Sequence, residues 1–146
     1  MSFSIREDVP LLWILPMAQK FFSLSDIKKE FGITKSQAVV MIALYYKGSM
    51  NMSQVSEYLS SSKEQATRAV SGIVRDGFAE RFESPDNRTH VNIRLTKAGY
   101  DKIEAVKTET YSRFNDRLET MVTEEDKEEL KKAAMTIIAI LNKINQ

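Results

Sequence analysis

At Gly77 the apolar residues change period, and no other feature of this chain constrains its fold so tightly. Before it, Ala66, Ala69, Val70 and Ile73 recur at steps of three and four, as on a helix with one buried face. After it, Ala79 and Glu80 lead through Arg81 and Phe82 to Ser84-Pro85-Asp86-Asn87, a dense turn signal. Beyond the turn, Val91, Ile93 and Leu95 alternate with His90, Asn92 and Arg94, the period of a half-buried strand. A hairpin thus follows directly on a helix. Upstream, Ser53 opens a short helix in which Val55, Tyr58 and Leu59 share one face. Ser62-Lys63-Glu64-Gln65 has the form of a capping box that starts the next helix. Short helix, tight turn, second helix and hairpin fill residues 53–96.

The flanks read as helix. Thr34-Lys35-Ser36-Gln37 is another capping box, followed by Val39, Ile42, Ala43 and Tyr46 at helical spacing and stopped by Gly48. Nearer the start, Asp8 can cap a helix with Pro10 in its first turn, and Pro16 should kink it. Leu11 to Phe22 is apolar almost all round, so that helix needs cover on every side. Asp26, Lys28, Lys29 and Glu30 form a charged connector. Thr96 caps a long helix from about Lys97 to Thr120, with Ile103, Val106, Thr110, Phe114 and Leu118 as its stripe. Thr123-Glu124-Glu125-Asp126 starts the last helix with acids suited to its dipole, and Leu130, Ala134, Ile137, Leu141 and Ile144 line one side. This helical hairpin needs a partner, and a second copy is the expected cover.

Composition narrows the classes. Five Gly and three Pro in 146 residues leave little material for loops, which favours a mostly helical chain. The absence of Cys excludes a disulfide framework, a zinc finger, an iron–sulfur cluster and a thiol switch, and the single His90 leaves no His-rich metal site. No run approaches the roughly 18 apolar residues of a membrane span. The short apolar run Leu11–Met17 follows Glu7 and Asp8, unlike the basic opening of a signal peptide, so a cytoplasmic chain without membrane contact is expected. There is no nucleophile elbow, phosphate-cradling glycine loop, or cysteine or histidine pair, and neither enzyme activity nor a cofactor is expected.

Net charge is +1 and does not by itself indicate nucleic acid. Within residues 53–96, Lys63, Arg68, Arg75, Arg81, Arg88 and Arg94 are balanced by Glu57, Glu64, Asp76, Glu80, Glu83 and Asp86. Any DNA-binding face must come from where these groups point. In a helix-turn-helix the second helix enters the major groove, where base edges are distinguishable. The outward residues of the helix after Ser62 should include Lys63, Glu64, Gln65, Thr67 and Arg68. Gln suits adenine, Arg or Lys suits guanine, and Thr suits a thymine methyl or a phosphate. The helix N-terminus, with the Ser62 hydroxyl, can hold a phosphate. Alone, this helix reads more simply as a solvated surface. The elements around it tip the balance to nucleic acid. His90, beside the turn, reads as a surface or wing-packing residue.

The stretch Met52 to Gly99 resembles the MarR family of regulators. The likeness lies in Ser53-Gln-Val-Ser-Glu-Tyr-Leu59, Ser62-Lys-Glu-Gln-Ala-Thr-Arg-Ala-Val70 and Ile73-Val-Arg-Asp-Gly-Phe-Ala-Glu-Arg81, closed by Ser84-Pro-Asp-Asn-Arg88 and Leu95-Thr-Lys-Ala-Gly99. The resemblance implies one domain over 1–146, mainly α with a small β-hairpin wing. A winged helix-turn-helix would span about 34–99 and a helical dimerisation part about 8–30 and 97–146. It implies a homodimeric repressor on a pseudo-palindromic operator in double-stranded DNA. Ser62, Lys63, Gln65, Thr67 and Arg68 match recognition-helix positions, and Arg88 matches the wing position from which the family inserts an arginine into the minor groove. Where the family often reads Asp-Arg-Arg, this chain has Asn87-Arg88-Thr89, leaving Asp86 as the neighbouring support. The resemblance also implies a pocket for a small aromatic effector, with Tyr45, Tyr46 and Tyr111 as lining. Otherwise the aromatic residues read as core or interface. The alternative is a winged-helix module that binds protein, which the neutral 53–96 segment favours and the outward cations oppose.

Overall fold

The structure, a computed structural model, describes residues 27–85 and 87–144, the side chains of 87–90 excepted. The helix expected over Leu11–Phe22 and its kink at Pro16 lie outside the described residues. In chain order come α1 (Ile27–Phe31), α2 (Lys35–Lys47), β1 (Ser49–Asn51), α3 (Met52–Leu59), α4 (Lys63–Arg75), β2 (Ala79–Ser84), β3 (Asn87–Leu95), α5 (Lys97–Met121) and α6 (Glu124–Ile144). The strands form one antiparallel sheet in the order β1-β3-β2. The fold is mainly α with a small sheet, as the sequence leads one to expect.

The sheet holds one strand more than the hairpin read from the sequence. β1 pairs Met50 with Ile93, and Met50 is 2% exposed. Three residues are too few to show a period, so β1 has no signature of its own. It also shifts the start of α3. Asn51, not Ser53, is the N-cap, and its side chain and that of Gln54 bond each other's backbone N–H. In α3 Val55 is fully buried, whereas Tyr58 is 47% exposed.

The expected capping box of α2 is complete, with Thr34 and Gln37 bonding reciprocally. Its buried face is Ala38, Val40, Met41, Ala43 and Leu44, while Tyr46 is exposed. Residues 38–46 are apolar almost without a break, so spacing alone did not fix which side faces in. In α4 the buried residues are the expected Ala66, Ala69, Val70 and Ile73, joined by Gly72.

The turn out of α4 explains why distant motif residues belong together. Gly77 adopts φ +77°, a conformation that favours glycine, and turns the chain from α4 into β2. Thr96 then donates its hydroxyl to the Gly77 carbonyl (2.6 Å) and accepts from the Gly99 N–H (3.2 Å), capping α5. A Cβ on Gly99 would lie 1.9 Å from the Phe78 carbonyl oxygen, so only glycine lets α5 start this close to the turn. Ile103 and Val106 continue into the core, both buried.

The chain divides into two compact units between Glu109 and Thr110, inside α5. The first carries the sheet, α1 to α4 and the start of α5. The second holds the rest of α5 and α6. In it Phe114 and Leu118 are half-buried, and α6 has no buried residue. Thr123 caps α6 reciprocally with Asp126, whose carboxyl is held below its usual range by the Thr123 backbone N–H and then by its hydroxyl. Among the described residues no helix is long and apolar enough to cross a membrane, and no cluster of His, Cys, Asp or Glu is arranged to hold a metal.

Candidate nucleic-acid interface

α3 and α4 are joined by Ser60-Ser61-Ser62, a turn that Ser60 makes possible by taking the left-handed conformation (φ 47°, ψ 43°). Such a short connection fixes α4 against α3. With Ala66, Ala69, Val70 and Ile73 inward, Ser62, Lys63, Glu64, Gln65, Thr67 and Arg68 are all exposed on one side. The five recognition-helix residues read from the sequence therefore share a solvent face.

Hydrogen bonds sort them further. The Ser62 hydroxyl accepts from the Gln65 N–H (3.3 Å), but the return bond from the Gln65 side chain to the cap is not made. Gln65 keeps both ends of its amide for a ligand, as bidentate recognition of adenine requires. The Thr67 hydroxyl donates to the Lys63 carbonyl at 2.7 Å. Its one proton is thus occupied, and what Thr67 turns outward is its methyl and oxygen lone pairs, better matched to a thymine methyl than to a phosphate. Lys63 and Arg68 form no ion pair among the described residues.

Two of the nearby acids are committed to arginines. Arg94 donates to Glu80 across the strands (2.7 Å) and lies over the Phe82 ring (4.5 Å), and Arg75 pairs with Asp76 (3.0 Å). These pairs cancel locally, which among the described residues leaves Lys63 and Arg68 as unpaired cations on the outward face of α4 beside the single acid Glu64.

The wing is β2, β3 and their connection. Up to Glu83↔Val91 the pairing is regular, and then it jumps to Ser84↔Asn87. β3 therefore makes an excursion over residues 88–90 that β2 does not match. Arg88 belongs to this excursion near the tip, and its side chain and Asp86 lie outside what is described. Val91, expected inward, is 46% exposed, because it stands beyond the end of the core toward that tip.

The tyrosines expected around an effector fall in both units. Tyr45 donates its hydroxyl to Glu104, which also accepts from Lys107 (3.2 Å), and the Lys107 ammonium sits 4.2 Å from the centre of the Tyr45 ring. Tyr46 and Tyr100 pack against Tyr45 with ring centres at 5.1 and 5.6 Å. The Tyr45 bond, then Lys107, holds the Glu104 carboxyl below its usual range, and Tyr45, then Glu104, raises the Lys107 ammonium. Tyr111 is exposed on the part of α5 that belongs to the second unit.

Comparison with known proteins bears on this geometry. Residues 33–91 match the model of the MarR family. The uncharacterized HTH-type transcriptional regulator YhbI of Bacillus subtilis is 30% identical over 81 residues, and that match spans 56% of this chain and about half (53%) of the relative. Wild-type MarR from E. coli in its apo form superposes with a TM-score of 0.75 at 21% identity, covering 90% of this chain and 98% of that one. A MepR mutant from S. aureus bound to an oligodeoxyribonucleotide gives 0.62 at 17% identity, covering 92% and 99%. At these identities the structures establish a common fold. The family match runs from the residue before the cap of α2 into β3; over that stretch the chain is similar to the MarR family, and it shares the fold of the solved MarR and MepR structures.

Proposed function

We propose that the protein is a cytoplasmic, homodimeric repressor that binds a pseudo-palindromic operator in double-stranded DNA through α4 and the wing. One observation carries this reading. Lys63, Gln65 and Arg68 share an exposed helix face with their polar ends uncommitted, next to a hairpin wing. Surface side chains left without partners on a rigidly packed helix are suited to reading base edges in the major groove. The MepR structure with a bound oligodeoxyribonucleotide supports the same use of the fold. Ser62 serves the phosphate at the start of α4, and Arg88 serves the minor groove.

Dimerisation follows from α6. Leu130, Ile137, Leu141 and Ile144 are exposed along one stripe, flanked by Ile138 and Ile140. At 100° per residue these cover an arc of roughly 160°, wider than a two-helix seam buries. A second copy that wraps this helix from more than one side is the economical cover.

Selection from a random pool of duplexes tests the reading. Bound DNA should converge on a palindrome whose half-sites lie about one helical turn apart. Failure of any sequence to enrich would transfer the module to a protein partner, the reading that the neutral 53–96 segment favours.

Release by a small aromatic effector completes the proposal, with Tyr45 and Tyr46 as lining. Such a ligand must bind the DNA-competent and DNA-incompetent states with different affinity. Aromatic acids should raise the melting temperature of the wild type and lose that effect in Tyr45→Ala or Tyr46→Ala. A shift unchanged in both variants removes these residues from the site.

A further inference from the structure

Cross-strand partners lie on the same face of a sheet, and faces alternate along a strand. Ala79 pairs with Leu95, Arg81 with Ile93 and Glu83 with Val91, and Leu95 and Ile93 are buried. Ala79, Arg81 and Glu83 therefore occupy the helix-facing side of the edge strand β2. Glu80 and Phe82, on the other side, engage Arg94. Along this inner face burial gives out stepwise: Ala79 is covered, Arg81 is exposed beside a buried Ile93, and Glu83 and Val91 are both exposed. The inner face of the wing thus runs out past α4, and Arg81 stands where helix and wing meet.

Its side chain is held there. Arg81 Nη2 donates to the Ser71 hydroxyl at 3.2 Å, and Ser71 lies one turn after Thr67 and Arg68 on the exposed side of α4. Among the described residues Arg81 makes no ion pair. Asp76 and Glu80 are bonded to Arg75 and Arg94, and Glu83, two residues further along the same face, does not reach it. One hydroxyl uses a fraction of the five donors of a guanidinium, leaving the rest directed to solvent.

When a helix fills a major groove and a wing meets the neighbouring minor groove, the strand of phosphates that separates the grooves must pass through the corner between them. We infer that Arg81, positioned by Ser71, is a contact for that phosphate backbone. The inference rests on the DNA-binding reading above and adds a cation to Lys63, Arg68 and Arg88. It assigns Arg81 to affinity that does not depend on sequence, whereas Gln65 and Arg68 read bases.

The test uses the full chain, a duplex enriched from a random pool and a scrambled duplex, titrated over several salt concentrations. Arg81→Gln should weaken binding to both duplexes by one factor, about fivefold near physiological salt, and lower the slope of log affinity against log salt by about one. Arg81→Lys should keep the slope. Ser71→Ala should also keep the slope while weakening both duplexes about twofold, since the charge stays and only its anchor goes. A bracing role without DNA contact predicts a lower melting temperature and an unchanged slope in Arg81→Gln, and that result would overturn the inference. So would loss confined to the enriched duplex, which would make Arg81 a base reader. If the wild type binds neither duplex, the DNA reading falls and takes this inference with it. If the wild type binds and Arg68→Ala weakens it while Arg81→Gln does not, only the inference falls.

Discussion

Exchanging Ile137 and Leu141 together for Asp should leave a monomer that binds a full operator about two to four orders of magnitude more weakly than the wild type. Both residues are exposed, on a stripe of α6 in which no described residue is buried. Burying an aliphatic side chain of this size is worth about 1.5–3 kcal/mol, and an isologous interface counts each residue twice. Four such losses amount to about 6–12 kcal/mol before the cost of burying new carboxylates. That is enough to move a dissociation constant from far below to far above micromolar. The loss on DNA follows from linkage: two half-sites held by one particle gain about a hundredfold to ten-thousandfold over one. Sedimentation at micromolar protein reads the first effect and operator titration the second, with circular dichroism confirming that helix content is retained. A variant that sediments as a dimer would place the interface elsewhere.

The second large effect separates the recognition helix from the wing. Gln65→Ala and Arg68→Ala should each cut discrimination between operator and scrambled duplex by about 1–3 kcal/mol, a factor of roughly 5 to 150, with little change in binding to the scrambled duplex. Arg88→Ala should weaken both duplexes alike and lower the salt slope by about one. The two kinds of loss differ because a base edge is matched to a side chain in one sequence only, whereas a phosphate is present in all. Titrations of wild type and variants at several salt concentrations distinguish them. Unaltered DNA binding in all three variants, with the dimer intact, would mean that the outward face of α4 and the wing tip do not face DNA.

Much of this was legible in the chain itself because local rules and tertiary packing agree. Gly77, Thr96 and Gly99 are strongly constrained by backbone geometry, so the turn, the return strand and the start of α5 could be placed from them. The helix after Ser62 carries small and branched apolar residues on one side and polar ones on the other, which let its outward face be written down in advance. Where the reading missed, a longer-range interaction decided. β1 exists because β3 offers it an edge, and Asn51 becomes a cap only once that strand has ended beside it. Tyr46 and Tyr58 look inward by spacing and are outward in the fold, since a helix rich in apolar residues is oriented by its neighbours. Arg81 stood within a recognisable motif, but only strand register and the bond to Ser71 give it a position.

The jump in pairing from Glu83↔Val91 to Ser84↔Asn87 has an evolutionary corollary. Elsewhere in a sheet, gaining or losing one residue turns every following side chain to the opposite face. Residues 88–90 have no counterpart on β2 to stay in step with, so a change of length there is absorbed at the tip. Ile93 and Leu95 keep their inward places whatever the tip does. The wing is thus a part of the molecule where drift in length is cheap, and descendants can try new reaches of the tip without renegotiating the core.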